Sequence, residues 1–232
     1  MIRMENLTKK FRLKNGGYKY VLDDVSYTFE EGVNTGILGL NGTGKSTLLK
    51  LLCGSSLPSS GRVTRNSTIS WPVGFTGFVV GNLTGYQNLR FISRIYKSDY
   101  RKDRRFVEEF TELGDYLNEP VKTYSSGMRS KLNFALSMAI GFDFYLIDEA
   151  FSVGDAAFRK KGEEIFQQRM KESTVIVVSH SISNITKLCS KAVVLDQAKF
   201  HTYETLDEAV EVYKTLGAKR TAAVNMGAAG KA

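Results

Sequence analysis

The sequence predicts an α/β fold: a mainly parallel sheet covered by helices, interrupted by an inserted helical lobe. Three observations lead to it. Four short apolar runs lack the polar alternation of half-exposed strands, which is the pattern of strands buried on both faces. Each run closes on a polar or glycine-rich segment, the end at which such sheets bind ligands. Between the first run and the second, over about residues 88–117, the pattern is helical and rich in charge.

Taken in order, residues 33–38 follow the turn Glu30-Glu31-Gly32 and read as the first buried strand. Residues 47–52 read as the helix after it, ended near Gly54. The run Phe144-Tyr145-Leu146-Ile147 closes on Asp148, residues 174–178 close on Ser179-His180, and Ala192-Val193-Val194-Leu195 closes on Asp196. In the helical stretch Arg90, Arg94, Lys97, Arg101, Lys102, Arg104 and Arg105 precede Glu108, Glu109 and Glu112. The domain is expected to span 1–215, with a lobe over about 85–140. Residues 216–232, small and without period, are expected as a flexible tail.

The 232 residues, 42% apolar and 24% charged, suit one domain carrying an inserted lobe. Cys53 and Cys189 have neither metal nor disulfide spacing and read as free thiols of a reducing compartment. The start lacks the apolar run of a signal peptide, and the most apolar stretch, about 134–142, is far short of the ~20 residues that span a bilayer. The net charge of +8 suits a polyanion, an anionic lipid surface or a merely solvated face, and no nucleic-acid motif accompanies it.

Three segments carry chemistry. Gly39-Leu40-Asn41-Gly42-Thr43-Gly44-Lys45-Ser46 matches G-x-x-x-x-G-K-[ST] between a strand and a helix. Its glycines let backbone N–H groups turn toward phosphate oxygens, and the helix aims its positive end at the same point. Lys45 can reach the β- and γ-phosphates, and the Ser46 hydroxyl, with Thr47 beside it, can serve Mg²⁺ and phosphate. Kinases, GTPases and transport ATPases all use such a loop. Asp148-Glu149 ends an apolar strand, where one carboxylate can hold Mg²⁺ and the next can orient or deprotonate a water. Ser125-Ser126-Gly127 opens an apolar helical stretch over about 129–140, an anion site or a plain serine cap.

The order of these segments, followed by a strand ending at His180, resembles the ATP-binding cassette (ABC) ATPases from about residue 2 to residue 213. Residues 124–128 are similar to the signature of that family, Ser152-Val153-Gly154-Asp155 to its D-loop, and His180 to its switch histidine. Ile69-Ser70-Trp71-Pro72-Val73-Gly74, Leu83-Thr84-Gly85, Lys122-Thr123-Tyr124-Ser125-Ser126-Gly127-Met128-Arg129-Ser130 and Val178-Ser179-His180-Ser181 resemble the ATPase subunits of bacterial capsular-polysaccharide exporters.

The resemblance implies a P-loop core with an N-terminal antiparallel β region. It also implies an ATP-sandwich homodimer, in which Ser125, Ser126 and Gly127 of one copy meet the ATP held by Gly39, Asn41, Gly42, Thr43, Gly44, Lys45, Ser46 and Thr47 of the other. Asp148 and Ser46 would hold Mg²⁺, Glu149 would be the general base, His180 would bond the γ-phosphate, and Asp155 would reach across the dimer. Phe11 would stack on adenine, with Tyr18 or Tyr20 as substitutes. The expected partners are an integral membrane permease, periplasmic and outer-membrane export components reached through it, and a lipid-linked, acidic glycan as cargo. The expected place is the cytoplasmic face of the bacterial inner membrane. Export of O-antigen or teichoic acid is the nearest alternative. A soluble ABC protein acting on nucleic acid is another, supported by charge alone. The chain departs from the family pattern twice: Ser126 replaces the first signature glycine, and Val80 falls where the Q-loop glutamine belongs, with Gln87 too far along to replace it.

Overall fold

A computed structural model describes residues 1–73, 77–148, 156–179 and 181–229, and of residues 156, 157 and 219–229 it describes the backbone. In chain order the elements are β1 (Ile2–Arg12), β2 (Tyr18–Phe29), β3 (Thr35–Leu38), α1 (Lys45–Leu52), β4 (Ser60–Arg65), α2 (Gly85–Tyr96), α3 (Tyr100–Thr111), α4 (Ser126–Ala139), β5 (Phe144–Asp148), α5 (Ala156–Met170), β6 (Thr174–Val178), α6 (Ile182–Leu188), β7 (Lys191–Asp196), β8 (Lys199–Thr202) and α7 (Leu206–Ala229). The chain divides into two compact units: residues 1–66 with 175–232, and residues 67–174. The second is inserted into the first in sequence and takes in more than the expected lobe.

In the first unit, β3 pairs in parallel with β6 on one side and β7 on the other, and β8 closes the edge antiparallel to β7. Every residue of β3 and β6 is buried, which is why neither run shows alternation. The fold is therefore α/β with a parallel core, as the sequence predicts. An antiparallel sheet of order β2-β1-β4 accompanies it. Its inward residues Ile2, Met4, Leu7, Val25 and Phe29 are almost wholly buried. Asn34 ties strand ends together: its side-chain oxygen accepts from the Val175 N–H at 2.9 Å, and its carbonyl accepts from Ser190 and Lys191. Both cysteines are free thiols, and burial pushes Cys189 up to about 12.

The second unit is built on aromatic packing. Phe110 lies 5.4 Å from Phe134 and 4.7 Å from Phe158, joining α3, α4 and α5. A second cluster gathers Trp71, Tyr96, Phe142 and Tyr145. Tyr145 donates to the Ile140 carbonyl at 2.8 Å, and burial raises its phenol to about 12. Helices α2 and α3 are stapled by Glu108, which accepts from the Tyr86 hydroxyl at 2.6 Å and from Arg104 at 2.8 Å. The Tyr86 and Arg104 bonds hold its carboxyl below the usual range.

From residue 216, where a flexible tail is expected, the backbone continues α7 to Ala229. Its alanines, lysine, arginine and methionine are strong helix formers, so a helix can persist there without the apolar stripe that sequence reading looks for.

Trp71, the single tryptophan of the chain, donates its indole N–H to the buried Ser137 hydroxyl at 2.8 Å, and Ser137 donates onward to the Asn133 carbonyl. Replacing Ser137 by alanine leaves a buried donor without its acceptor, a loss of roughly 1–3 kcal/mol. A urea melt followed by Trp71 fluorescence should show the earlier midpoint. An unchanged midpoint would mean that the indole finds another acceptor.

Candidate functional site

The strand β3 runs out at Leu38 into a loop that turns back as α1. Two glycines make the turn. Gly42 has φ 80° and Gly44, the residue capping α1, has φ 108°, both in the left-handed region that other residues enter at a cost of about 1–2 kcal/mol. Gly44 is fixed a second time by space: a Cβ there would lie 2.0 Å from Cγ1 of Val21 on β2. Gly39 is similarly enclosed, with the Leu195 carbonyl oxygen 2.8 Å from where its Cβ would stand. Thr43 closes the loop on itself, its N–H and its hydroxyl both donating to the Leu40 carbonyl, at 3.2 and 2.8 Å.

Lys45 is buried, and its ammonium donates to the Gly39 and Leu40 carbonyls at 2.7 and 3.2 Å. The charge is thus held inside the loop. The N–H groups of the first turn of α1 have no acceptor within the helix, and that turn carries no acid. Asn41, Gly42 and Ser46 are exposed, and Thr47 is half-buried. Inward-turned amides, a fixed ammonium and two hydroxyls without a carboxylate form a donor set that fits a polyphosphate.

Phe11 lies in the same unit, 47% exposed, with the Lys9 ammonium 5.1 Å over its ring. Tyr18 and Tyr20 share a face with Lys10, which sits 4.5 and 5.6 Å over their rings. Lys10 and Phe11 are successive residues of a strand, so Phe11 and the two tyrosines face opposite ways and cannot serve one stacking position.

Asp148 and the segment from Ser125 to Gly127 lie in the second unit. Asp148 closes β5, half-buried. Ser125 caps α4, its hydroxyl accepting from the Met128 N–H at 3.2 Å. Ser125, Ser126 and Gly127 are exposed, and the first turn has no acid. A Cβ on Gly127 would meet only the Ser125 hydroxyl, at 3.9 Å, so nothing within the chain demands glycine there. Arg129 donates to the Tyr124 carbonyl at 2.9 Å, and the ring of Tyr124 is buried beneath, its phenol raised by burial to about 12. Glu149, Asp155 and His180 lie outside the described residues. Among the described residues no group of three or more His, Cys, Asp or Glu could hold a metal ion by itself. Ser46 and Asp148 are hard oxygen donors of the type Mg²⁺ takes, and such an ion completes its shell with water and phosphate.

Val80 is 45% exposed, and its backbone is held by one side chain. Asn88, fully buried on α2, accepts from the Val80 N–H at 2.8 Å and donates to the Val80 and Thr84 carbonyls at 3.1 and 2.9 Å. Gln87 is committed elsewhere. Its side chain accepts from the Thr84 N–H while Thr84 accepts from the Gln87 N–H, a capping box that starts α2. Sequence reading missed Val21, Asn88 and the self-docked Lys45 because their partners are set by the fold. The capping box was legible as Thr84-Gly85-Tyr86-Gln87.

The chain matches the family described as ABC transporter over residues 22–152. It is 48% identical over 217 residues to the capsule polysaccharide export ATP-binding protein CtrD of Neisseria meningitidis serogroup B, covering 93% of this chain and all of that one. It is 35% identical over 233 residues to the teichoic acids export ATP-binding protein TagH of Staphylococcus epidermidis, covering 92% and 88%. Among solved structures, the ATP-binding cassette MJ0796, in a dimeric post-hydrolysis state bound to ADP and Pi, superposes with a TM-score of 0.71 at 21% identity, over 89% of this chain and 99% of that one. At that identity the likeness is one of fold.

Two substitutions probe this geometry. Gly44→Ala meets both the left-handed backbone and Val21, so ATP affinity, measured with a fluorescent analogue, should fall by about tenfold or more. Asn88→Ala strips four main-chain bonds from residues 80–84, and its thermal midpoint should drop by roughly the equivalent of 1–3 kcal/mol. Wild-type affinity in the first variant, or a wild-type midpoint in the second, would contradict the packing described.

Proposed function

The chain belongs to the ABC transporter family, and from that premise we propose that it is the ATP-hydrolysing subunit of a capsular-polysaccharide exporter. The observation that carries this reading is the 48% identity to CtrD over the whole of that protein, together with a complete phosphate loop. The lower identity to TagH ranks a teichoic-acid exporter second.

On this reading the loop residues Gly39, Asn41, Gly42, Thr43, Gly44, Lys45, Ser46 and Thr47 hold the phosphates of ATP. Lys45 exchanges its carbonyl partners for phosphate oxygens, keeping a charge that is already desolvated. Phe11 stacks on adenine. Mg²⁺, held by Ser46 and Asp148, would supply charge neutralisation between the phosphates. Glu149 takes the proton of the attacking water and His180 holds the γ-phosphate. The exposed Ser125-Ser126-Gly127 turn has donors without a partner phosphate in its own sequence neighbourhood, and its glycine leaves room for close approach. It serves the loop of a second copy, and Asp155 reaches across the same boundary. The fold's likeness to a dimeric cassette supports that arrangement. Closing of the pair drives a shape change in a membrane partner, and hydrolysis resets it.

Among the described residues no helix is long and apolar enough to cross a membrane. On the exporter reading the membrane path belongs to a permease, and this chain works at its cytoplasmic side, against the inner membrane, on a lipid-linked acidic glycan. Export components of the periplasm and outer membrane connect through that permease.

Glu149→Gln should keep ATP binding, lose nearly all turnover and accumulate a dimer on size exclusion with ATP; full activity would put the base elsewhere. Lys45→Ala should lose binding itself. The copurified membrane complex should hydrolyse ATP faster with lipid-linked capsular glycan than with teichoic acid, and the opposite order would favour the second reading.

A further inference from the structure

The residue before the exposed Ser125-Ser126-Gly127 turn is locked in place. Tyr124 is buried, and every polar group it carries is engaged within the second unit. Its N–H donates to the Val121 carbonyl at 3.1 Å, and its carbonyl accepts from Arg129 at 2.9 Å. Its hydroxyl donates to the Tyr116 carbonyl, in the 3₁₀ turn Gly114–Asn118. The buried N–H of Gly85, the first residue of α2, faces the same oxygen. That N–H stands at a helix start and has no acceptor within the helix. One phenol therefore answers two main-chain groups, a donor and an acceptor, from two segments other than its own.

Space around that oxygen is equally committed. A Cβ on Gly85 would lie 3.0 Å from the phenol oxygen and 2.9 Å from Cδ2 of Leu117. Gly85 has no positive φ, so this contact, and not backbone conformation, is what calls for a glycine there. The strand of chain leading to Tyr124 is fastened to the same neighbourhood. The Val121 N–H donates to the Leu83 carbonyl at 3.0 Å, and the Lys122 N–H to the Gly81 carbonyl at 2.8 Å. The turn itself is lightly held by comparison. Ser126 and Gly127 are exposed, and a Cβ on Gly127 would meet the Ser125 hydroxyl and nothing else within 4 Å. The direction of the turn is thus set at its base. A phenylalanine would fill the same volume there, so the hydroxyl of Tyr124 contributes direction and not packing.

We propose that Tyr124 is a positioning residue for ATP-driven pairing: its phenol, seated against Gly85 and Tyr116, holds the Ser125-Ser126-Gly127 turn in the orientation that receives a phosphate from the second copy. This rests on the reading that the turn serves a second copy's ATP. A turn that must be ordered as the phosphate arrives binds more weakly than one ordered beforehand.

The test is the dimerisation constant of the full chain with ATP, measured by sedimentation in the Glu149→Gln background. Tyr124→Phe keeps the ring and removes the oxygen. It should weaken the ATP dimer about tenfold, the effect expected for two main-chain bonds. ATP affinity of the monomer, held by the phosphate loop in the other unit, should stay within about twofold. With Glu149 intact, kcat should fall about tenfold while KM for ATP stays within about twofold. A residue that only stabilised the fold would lower the thermal midpoint and, well below it, move neither the dimer constant nor kcat. Gly85→Ala should weaken the dimer too. In the Tyr124→Phe background it should cost less than it does alone, since the oxygen it meets is gone. Should Tyr124→Phe misfold, Gly85→Ala is read by the same split between dimer and monomer. A dimer constant indifferent to Tyr124→Phe, or losses that add in full across the pair, would overturn this proposal and leave the two-copy reading standing. Monomer affinity that falls in step with the dimer would overturn it as well, marking a general loosening. No ATP dimer in Glu149→Gln alone would overturn the two-copy reading, and the positioning role with it.

Discussion

The close approach of Gly44 to Val21 is the constraint on which the rest of the phosphate site depends. The chain must leave a buried parallel strand, reverse and enter a helix within six residues. It can do so only where a Cα lies against the wall of β2 without a side chain. Once Gly44 is there, the start of α1 is fixed, and with it the direction of its N–H groups. Lys45 then has no route to solvent and folds over the carbonyls of Gly39 and Leu40. The antiparallel sheet, which carries no phosphate contact of its own, therefore governs the loop through one methyl group.

What the sequence made legible follows from locality. The phosphate loop is a contiguous string whose residue types leave few alternatives, and the buried strands announce themselves by unbroken apolar runs ending at Leu38, Asp148, Val178 and Asp196. Ser125 was readable as a helix start because a cap is satisfied three residues away. Val21, Asn88 and the pairing of Asp103 with two serines could not be read, since each depends on which strand or helix lies alongside. The continuation of α7 was missed for the opposite reason: backbone propensity acts without the patterning that burial imposes.

The two units divide the chemistry. One contains the phosphate loop and the exposed Phe11, and the other contains Asp148 and the serine-glycine turn of α4. The turn is built like an anion site, yet it holds no anion-binding side chain beyond its own cap and leaves its glycine uncrowded. Such a surface is economical when the missing half arrives from outside.

Asn88 shows how such a protein can change without losing its shape. It grips the loop only by main-chain atoms, at Val80, Leu83 and Thr84. Every residue type has those atoms, so the path of the loop is indifferent to the side chain carried at position 80. A lineage could therefore trade a glutamine for a valine there and inherit the same backbone, with the change expressed only in chemistry. Change at position 80 is thereby confined to the exposed tip of the loop, while one amide on α2 anchors the whole segment.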